Sequence, residues 1–124
     1  MTYIIVDPED ESRIELKSIL DRFELLAFHG SFTTYEAASN GTRYEPTDIA
    51  FIKMGEAQLN AFRLAYELRE QPPLLKAVFI SSHKEDAVEA FEYGADGFVH
   101  IPFDEKKIRH MLKSFMARTD FRKK

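Results

Sequence analysis

The sequence predicts an α/β domain, a parallel sheet wound on both faces by helices, within a single unit of 124 residues. Three observations predict it. Four short runs, Thr2–Val6, Asp48–Ile52, Ala77–Ser81 and Gly97–Ile101, are mostly apolar over consecutive positions, the pattern of strands covered on both sides. Between the runs the apolar period lengthens to about 3.6 residues, the signature of a helix with one buried stripe. Strand and helix then alternate five times along the chain. Such alternation implies right-handed crossovers and therefore parallel neighbours.

The elements follow in order. Thr2–Val6 opens the chain as a strand, and Leu16, Ile19, Leu20 and Phe23 fall at the i, i+3, i+4, i+7 spacing of a first helix. A weaker run at Leu25–His29 is a candidate edge strand. Thr33 with Glu36 has the spacing of a capping box that would start a second helix. After the strand Asp48–Ile52, Ala61, Leu64, Ala65 and Leu68 mark a third helix, which Pro72 and Pro73 would close. Ala77–Ser81 is the fourth strand. Ser82 with Glu85 reads as a second capping box, Ala87, Ala90, Phe91 and Gly94 as the stripe of the fourth helix, and Gly94 also as its left-handed stop. The strand Gly97–Ile101 and a last helix carrying Ile108, Met111, Leu112 and Phe115 complete the chain. Residues 1–120 are read as one domain and 121–124, with Arg122, Lys123 and Lys124, as a basic tail or boundary.

Composition narrows the function. Hydrophobic residues make up 44% of the chain, with eleven Phe and five Tyr, so a packed core can offset the entropy of ordering the chain. There is no cysteine, which removes disulfides, thiolate zinc sites and cysteine nucleophiles and suits a reducing cytoplasm. The opening apolar run is too short for a signal peptide or a membrane span. A formal charge of −4 argues against non-specific nucleic-acid binding, which relies on basic neutralisation of phosphates. No nucleic acid, membrane or cofactor is expected to bind here.

In wound sheets of this kind function collects beyond the carboxyl ends of the strands. Those ends hold Asp7 to Asp10, Lys53 to Glu56, Ser81 to His83 and His100 to Phe103. The first, Asp7-Pro8-Glu9-Asp10-Glu11, repels phosphate with four carboxylates and withholds an amide at proline, which opposes a flavin or nucleotide site. The acids can instead serve a hard cation such as Mg²⁺, or simply favour a helix N-terminus. His29, His83, His100 and His110 show no ligand spacing, and Ser81-Ser82-His83 lacks a nucleophile elbow. Asn40-Gly41-Thr42 fits a glycosylation sequon but reads as a turn.

The blocks Ile4-Ile5-Val6-Asp7, Thr47-Asp48-Ile49-Ala50-Phe51-Ile52-Lys53, Val78-Phe79-Ile80-Ser81 and Gly94-Ala95-Asp96-Gly97-Phe98-Val99-His100-Ile101-Pro102-Phe103 together resemble a response-regulator receiver domain over nearly the whole chain. The resemblance implies the flavodoxin-like fold, a five-stranded parallel sheet of order 2-1-3-4-5. It also implies a pocket of two acids that hold Mg²⁺, an aspartate that accepts a phosphoryl group, a Ser or Thr, and a Lys-Pro pair. Carried over, the first acid is Asp7, while Pro8 stands for the second, Lys53 for the acceptor and Ile101 for the lysine. Asp7, Ser81 and Pro102 remain, and Glu9 lies one residue beyond the second acid's place. An ammonium about 5 Å from a divalent ion would repel it by roughly 6 to 7 kcal/mol at an effective dielectric near 20. The reading is therefore a degenerate receiver with no metal and no phosphorylation. In it the ammonium of Lys53 pairs with Asp7 and Glu9 as an internal cation, the alternative being that it swings out to solvent. Two further alternatives stay open: phosphorylation on another acid, Asp48 or Glu56, and a small flavodoxin-like enzyme or nucleotide binder.

Without pocket chemistry, what remains is a surface for a protein partner or a second copy. In receivers this is commonly the fourth helix, fifth strand and fifth helix. Here Glu85, Asp86, Glu89 and Glu92 would mark the fourth helix acidic and Lys106, Lys107, Arg109 and Lys113 the fifth basic. These faces can pair reciprocally in a two-fold homodimer, or both can simply be solvated. Phe98 stands where receivers keep an aromatic that moves inward on activation, and one resting position is expected for it. Any output domain would follow the fifth helix in a longer product and make this the regulatory part of a transcriptional or signalling regulator.

Overall fold

A computed structural model of the chain describes residues 1–43, 45–55, 58–70 and 75–123. Five strands alternate with five helices: β1 (Thr2–Val6), α1 (Asp10–Leu20), β2 (Ala27–Phe32), α2 (Tyr35–Thr42), β3 (Ile49–Lys53), α3 (Gln58–Leu68), β4 (Lys76–Ser81), α4 (Asp86–Glu92), β5 (Gly97–His100) and α5 (Glu105–Lys123). All neighbouring strands are parallel and the order is β2-β1-β3-β4-β5. This is the expected flavodoxin-like sheet. Among the described residues no helix is long and apolar enough to cross a membrane.

Strand alternation sends successive side chains to opposite faces, and two cores result. Ile4, Val6, Ala50, Ile52 and Phe79 meet Ala61, Leu64, Ala65 and Leu68 of α3, Ala38 of α2 and Ala90 of α4 on one face. On the other, Tyr3, Ile5, Phe51, Val78 and Ile80 meet Leu16 and Leu20 of α1 and Ile108, Leu112 and Phe115 of α5. All six residues of β4 are buried, which is why that run is apolar without alternation.

Several local expectations are corrected. β2 begins two residues later than the Leu25–His29 run because a turn after α1 occupies Asp21 to Leu26, and Leu25 is left exposed. In pairing with β1 the strand skips His29, so Tyr3 faces Phe28 and Ile4 faces Gly30. The cap of α2 is Thr34, whose Oγ1 accepts from the Ala37 amide at 3.0 Å. Thr33 is one residue too early because β2 runs through Phe32, and Thr34 is the residue with the extended backbone a cap requires. The Ser82–Glu85 box does not form: Glu85 precedes α4 without a side-chain cap, and the chain enters the helix through a turn that closes from Asp86 to His83. Phe91, placed on a buried stripe by its spacing, is exposed, because this seven-residue helix rests on the sheet mainly through Ala90. Gly94 does stop α4, at φ 86°. Pro72 and Pro73 lie outside the described residues.

Candidate functional site

The carboxyl ends of β3 and β4 bring Lys53 and Ser81 to one open cleft of about 570 Å³, and Asp7, after β1, lies buried against its lining residues Ser12 and Lys53. Asp7 directly follows β1 and is buried, with 1% of its surface exposed. Its Oδ1 accepts from the Glu9 amide at 2.9 Å, and its Oδ2 accepts from the Ser12 hydroxyl at 2.5 Å. Lys53 ends β3. Its Nζ lies 3.7 Å from Asp7 Oδ1 and 2.9 Å from Glu9 Oε1, and donates to Ser12 Oγ at 2.9 Å. Only 12% of the Lys53 side chain is exposed, so the ammonium stays in the cleft instead of reaching along its stem to solvent. The pairing expected of Lys53 with both acids is the geometry observed.

Ser12 joins the lysine to the aspartate, since its oxygen accepts from one and its hydroxyl donates to the other. Sequence reading passed over it. The signal was present, because Ser12, Leu16 and Leu20 are the buried residues of α1 at i, i+4 and i+8, and a serine on an apolar stripe needs a polar partner. A second unforeseen residue, Tyr35, donates from its hydroxyl to the Lys53 carbonyl at 3.0 Å. Burial, and then the negative charge of Asp7, push its pKa above the usual phenol value.

The far wall of the cleft is self-contained. Ser81, also buried, donates to Asp86 Oδ2 at 2.6 Å and accepts from the His83 amide at 3.0 Å. Asp86 therefore faces the cleft instead of completing the acidic outer face of α4. Ile101 lines the cleft with an apolar side chain, and a cis peptide bond joins it to Pro102. Among the described residues no three His, Cys, Asp or Glu side chains are grouped to hold a metal ion. Asp48 precedes β3 and so lies at the opposite end of the sheet from Lys53, about 16 Å away along the strand. Glu56 lies outside the described residues. His29 pairs with Glu45 and His100 with the Ser82 carbonyl, in separate places.

The interface candidates divide. Glu85, just before α4, and Glu92, at its end, are exposed, with Glu89 half-buried between them. Phe98 is half-buried, packs against the core around Phe79, and lines a groove of about 320 Å³ with Lys107, Met111 and Pro102. Arg109 and Lys113 do not share that groove. They line a different one, of about 430 Å³, on the α1 side of α5 with Phe23, Leu25 and Met116. Lys106 is exposed at the start of α5, its amide donating to Asp104 Oδ1. The single basic face expected for α5 is thus split, because Lys107 lies two residues before Arg109 and so about 200° away around the helix.

A family model described as the response regulator receiver domain matches residues 3–113. Sensory transduction protein LytT of Bacillus cereus is 31% identical over 114 residues, covering 90% of this chain and 46% of the relative. Transcriptional regulatory protein YpdB of Escherichia coli is 27% identical over 117 residues, covering 94% of this chain and 48% of the relative. The chain spans less than half the length of these curated relatives. Among solved structures, the response regulatory domain of protein MrkE from Klebsiella pneumoniae superposes with a TM-score of 0.82 at 27% identity, covering 95% of this chain and 97% of that one.

Proposed function

The chain belongs to the response regulator receiver domain family of two-component signalling, and from that premise we propose that it is a receiver that takes up no phosphoryl group and acts as a protein-interaction module. One observation carries the reading: the strand end that would present an acceptor carboxylate presents the Lys53 ammonium, 3.7 Å from Asp7 and 2.9 Å from Glu9. The residues do not fit Mg²⁺. A divalent ion at Asp7 would share its ligand with a fixed positive charge, a repulsion of roughly 6 to 7 kcal/mol at an effective dielectric near 20. Proline at position 8 supplies no second carboxylate. Asp48 is no substitute acceptor, because β3 carries it away from Ser81 and Asp7.

The built-in cation takes over the charge balance that a bound metal would otherwise supply to a buried carboxylate. With the Ser81 hydroxyl held by Asp86, neither wall of the cleft depends on a ligand. We assign Phe98 one resting position on that account, and with it a constitutive α4–β5–α5 surface. In a longer, cytoplasmic product the domain is the regulatory part of a transcriptional or signalling regulator. The acidic loop after β1 weighs against nucleotide or flavin chemistry.

The test is incubation with a small-molecule phosphodonor and Mg²⁺, followed by intact mass. The expected result is no phosphoryl adduct on the native chain and no saturable Mg²⁺ response. Lys53→Asp is expected to gain divalent-ion affinity by about ten thousandfold or more, the converse of the repulsion above. An adduct on the native chain overturns the reading.

A further inference from the structure

The outer face of α4 is apolar and acidic at once. Val88 and Phe91 are 68% and 52% exposed, and Glu89 and Glu92 share their stretch of helix, with Glu85 at its entry. Across α5 lies a groove of complementary character, with Phe23, Leu25, Leu112 and Met116 as its apolar lining and Arg22, Arg109 and Lys113 among the side chains at its edge. Leu25 is 66% exposed there. Glu105 pairs with Arg22 and Arg109, and Glu24 also lines the groove, yet the cations outnumber these acids while α4 itself, Asp86–Glu92, carries acids and no basic residue.

We infer that the α4 face of one molecule docks into the α1–α5 groove of a second copy, Val88 and Phe91 entering the apolar lining and the glutamates meeting Arg22, Arg109 and Lys113. The occupant follows from complementarity in both apolar character and charge. A two-fold dimer on the α4 face cannot use this match, because it would set acid against acid at Glu85, Glu89 and Glu92 and leave Arg109 and Lys113 outside the contact. Two different patches meeting head to tail make a heterologous contact, which extends to a chain or closes to a ring. The inference extends the interaction-module reading by naming its partner. It does not draw on the chemistry of the cleft, so either can fail while the other stands.

Two variants test it by sedimentation velocity and light scattering over a concentration series. Val88→Asp with Phe91→Asp spoils only the helix face, and Leu25→Asp with Lys113→Glu spoils only the groove. All four side chains lie outside the buried core, and circular dichroism and urea midpoints confirm folding. The native chain is expected to associate beyond a dimer, more weakly at high salt. Each variant alone is expected to be monomeric, with self-affinity lowered by about tenfold or more. Their equimolar mixture is expected to form a 1:1 dimer and stop there, since it retains one good helix face and one good groove. A native chain that stays monomeric, a native chain that stops at a dimer, self-association that survives either variant, or a mixture that stays monomeric would each overturn the inference.

Discussion

The two ends of the sheet treat their carboxylates differently. At the amino end, Asp48 Oδ2 accepts from the Thr2 amide at 2.8 Å, and Asp96 Oδ2 accepts from the Ala77 amide and from Arg69, each at 2.9 Å. Each acid is fastened to the backbone of a neighbouring strand, so it pins strand ends together. At the carboxyl end, Asp7 is held within its own loop by the Glu9 amide and otherwise faces side chains, Ser12 from α1 and Lys53 from β3. Backbone partners are common to any sequence with this fold, whereas side-chain partners belong to this sequence. The amino end is therefore scaffold, and the character of the carboxyl end rests on which side chains meet there, above all on one lysine.

The sharpest way to break that contrast is Lys53→Met. It keeps the stem and removes the charge, leaving Asp7 buried with only Ser12 and the Glu9 amide. Loss of one partner from a buried pair is costly because the remaining charge is stranded, and a destabilisation of about 3 kcal/mol is expected in urea unfolding at neutral pH. Asp7→Asn added to Lys53→Met should return most of it, a coupling that a double-mutant cycle reads directly. If Lys53→Met leaves the urea midpoint unchanged, the ammonium is not the internal cation described here.

Asp96→Ala comes next in size. It strands the Ala77 amide and takes from Arg69 its carboxylate partner while leaving its bond to the Gly94 carbonyl, and about 1 to 2 kcal/mol should be lost in the same assay. Because the change is confined to the scaffold end, the Mg²⁺ response and the phosphodonor result should stay as in the native chain. A cleft that changed its metal behaviour on this substitution would mean the two ends are not independent.

The scaffold was the more legible half of the molecule, and for a physical reason. β1, β3 and β4 are buried on both faces, so their runs of Ile, Val, Ala and Phe leave little room for another reading, and strand order followed from the resemblance those runs carry. What escaped were features set by one turn of backbone. The start of β2 depended on the length of the turn after α1, and the cap of α2 on which of two adjacent threonines took the extended conformation. In the cleft, Asp7, Lys53 and Glu9 were legible because charge had to balance. Ser12, Tyr35 and the inward turn of Asp86 were not, because each depends on where α1, α2 and α4 lean over the strand ends. The division of the α5 cations between two grooves was likewise hidden in a count of charges and open to a reading of their spacing.

The smallest effect at neutral pH, and the one that probes the sheet between its ends, concerns Tyr3. Its ring is buried on the α1 side with edge contacts to Phe28 and Phe51, and its hydroxyl reaches Asp21 across a long 3.4 Å. Burial, and then the charge of Asp21, raise its pKa from the usual 10 to about 12. The folded state therefore keeps this proton where the unfolded chain has released it. Stability from this group is complete below pH 10 and is lost as pH rises through about 12. Tyr3→Phe should change neutral stability by less than about 1 kcal/mol, since the hydrogen bond it removes is poor. It should make the fall in stability between pH 10 and 12 visibly shallower in urea midpoints taken at steps of pH. The slope will not vanish, because Tyr35 is raised in the same direction and keeps its share. An unchanged slope would place the Tyr3 hydroxyl in water, contrary to its burial against β2 and β3.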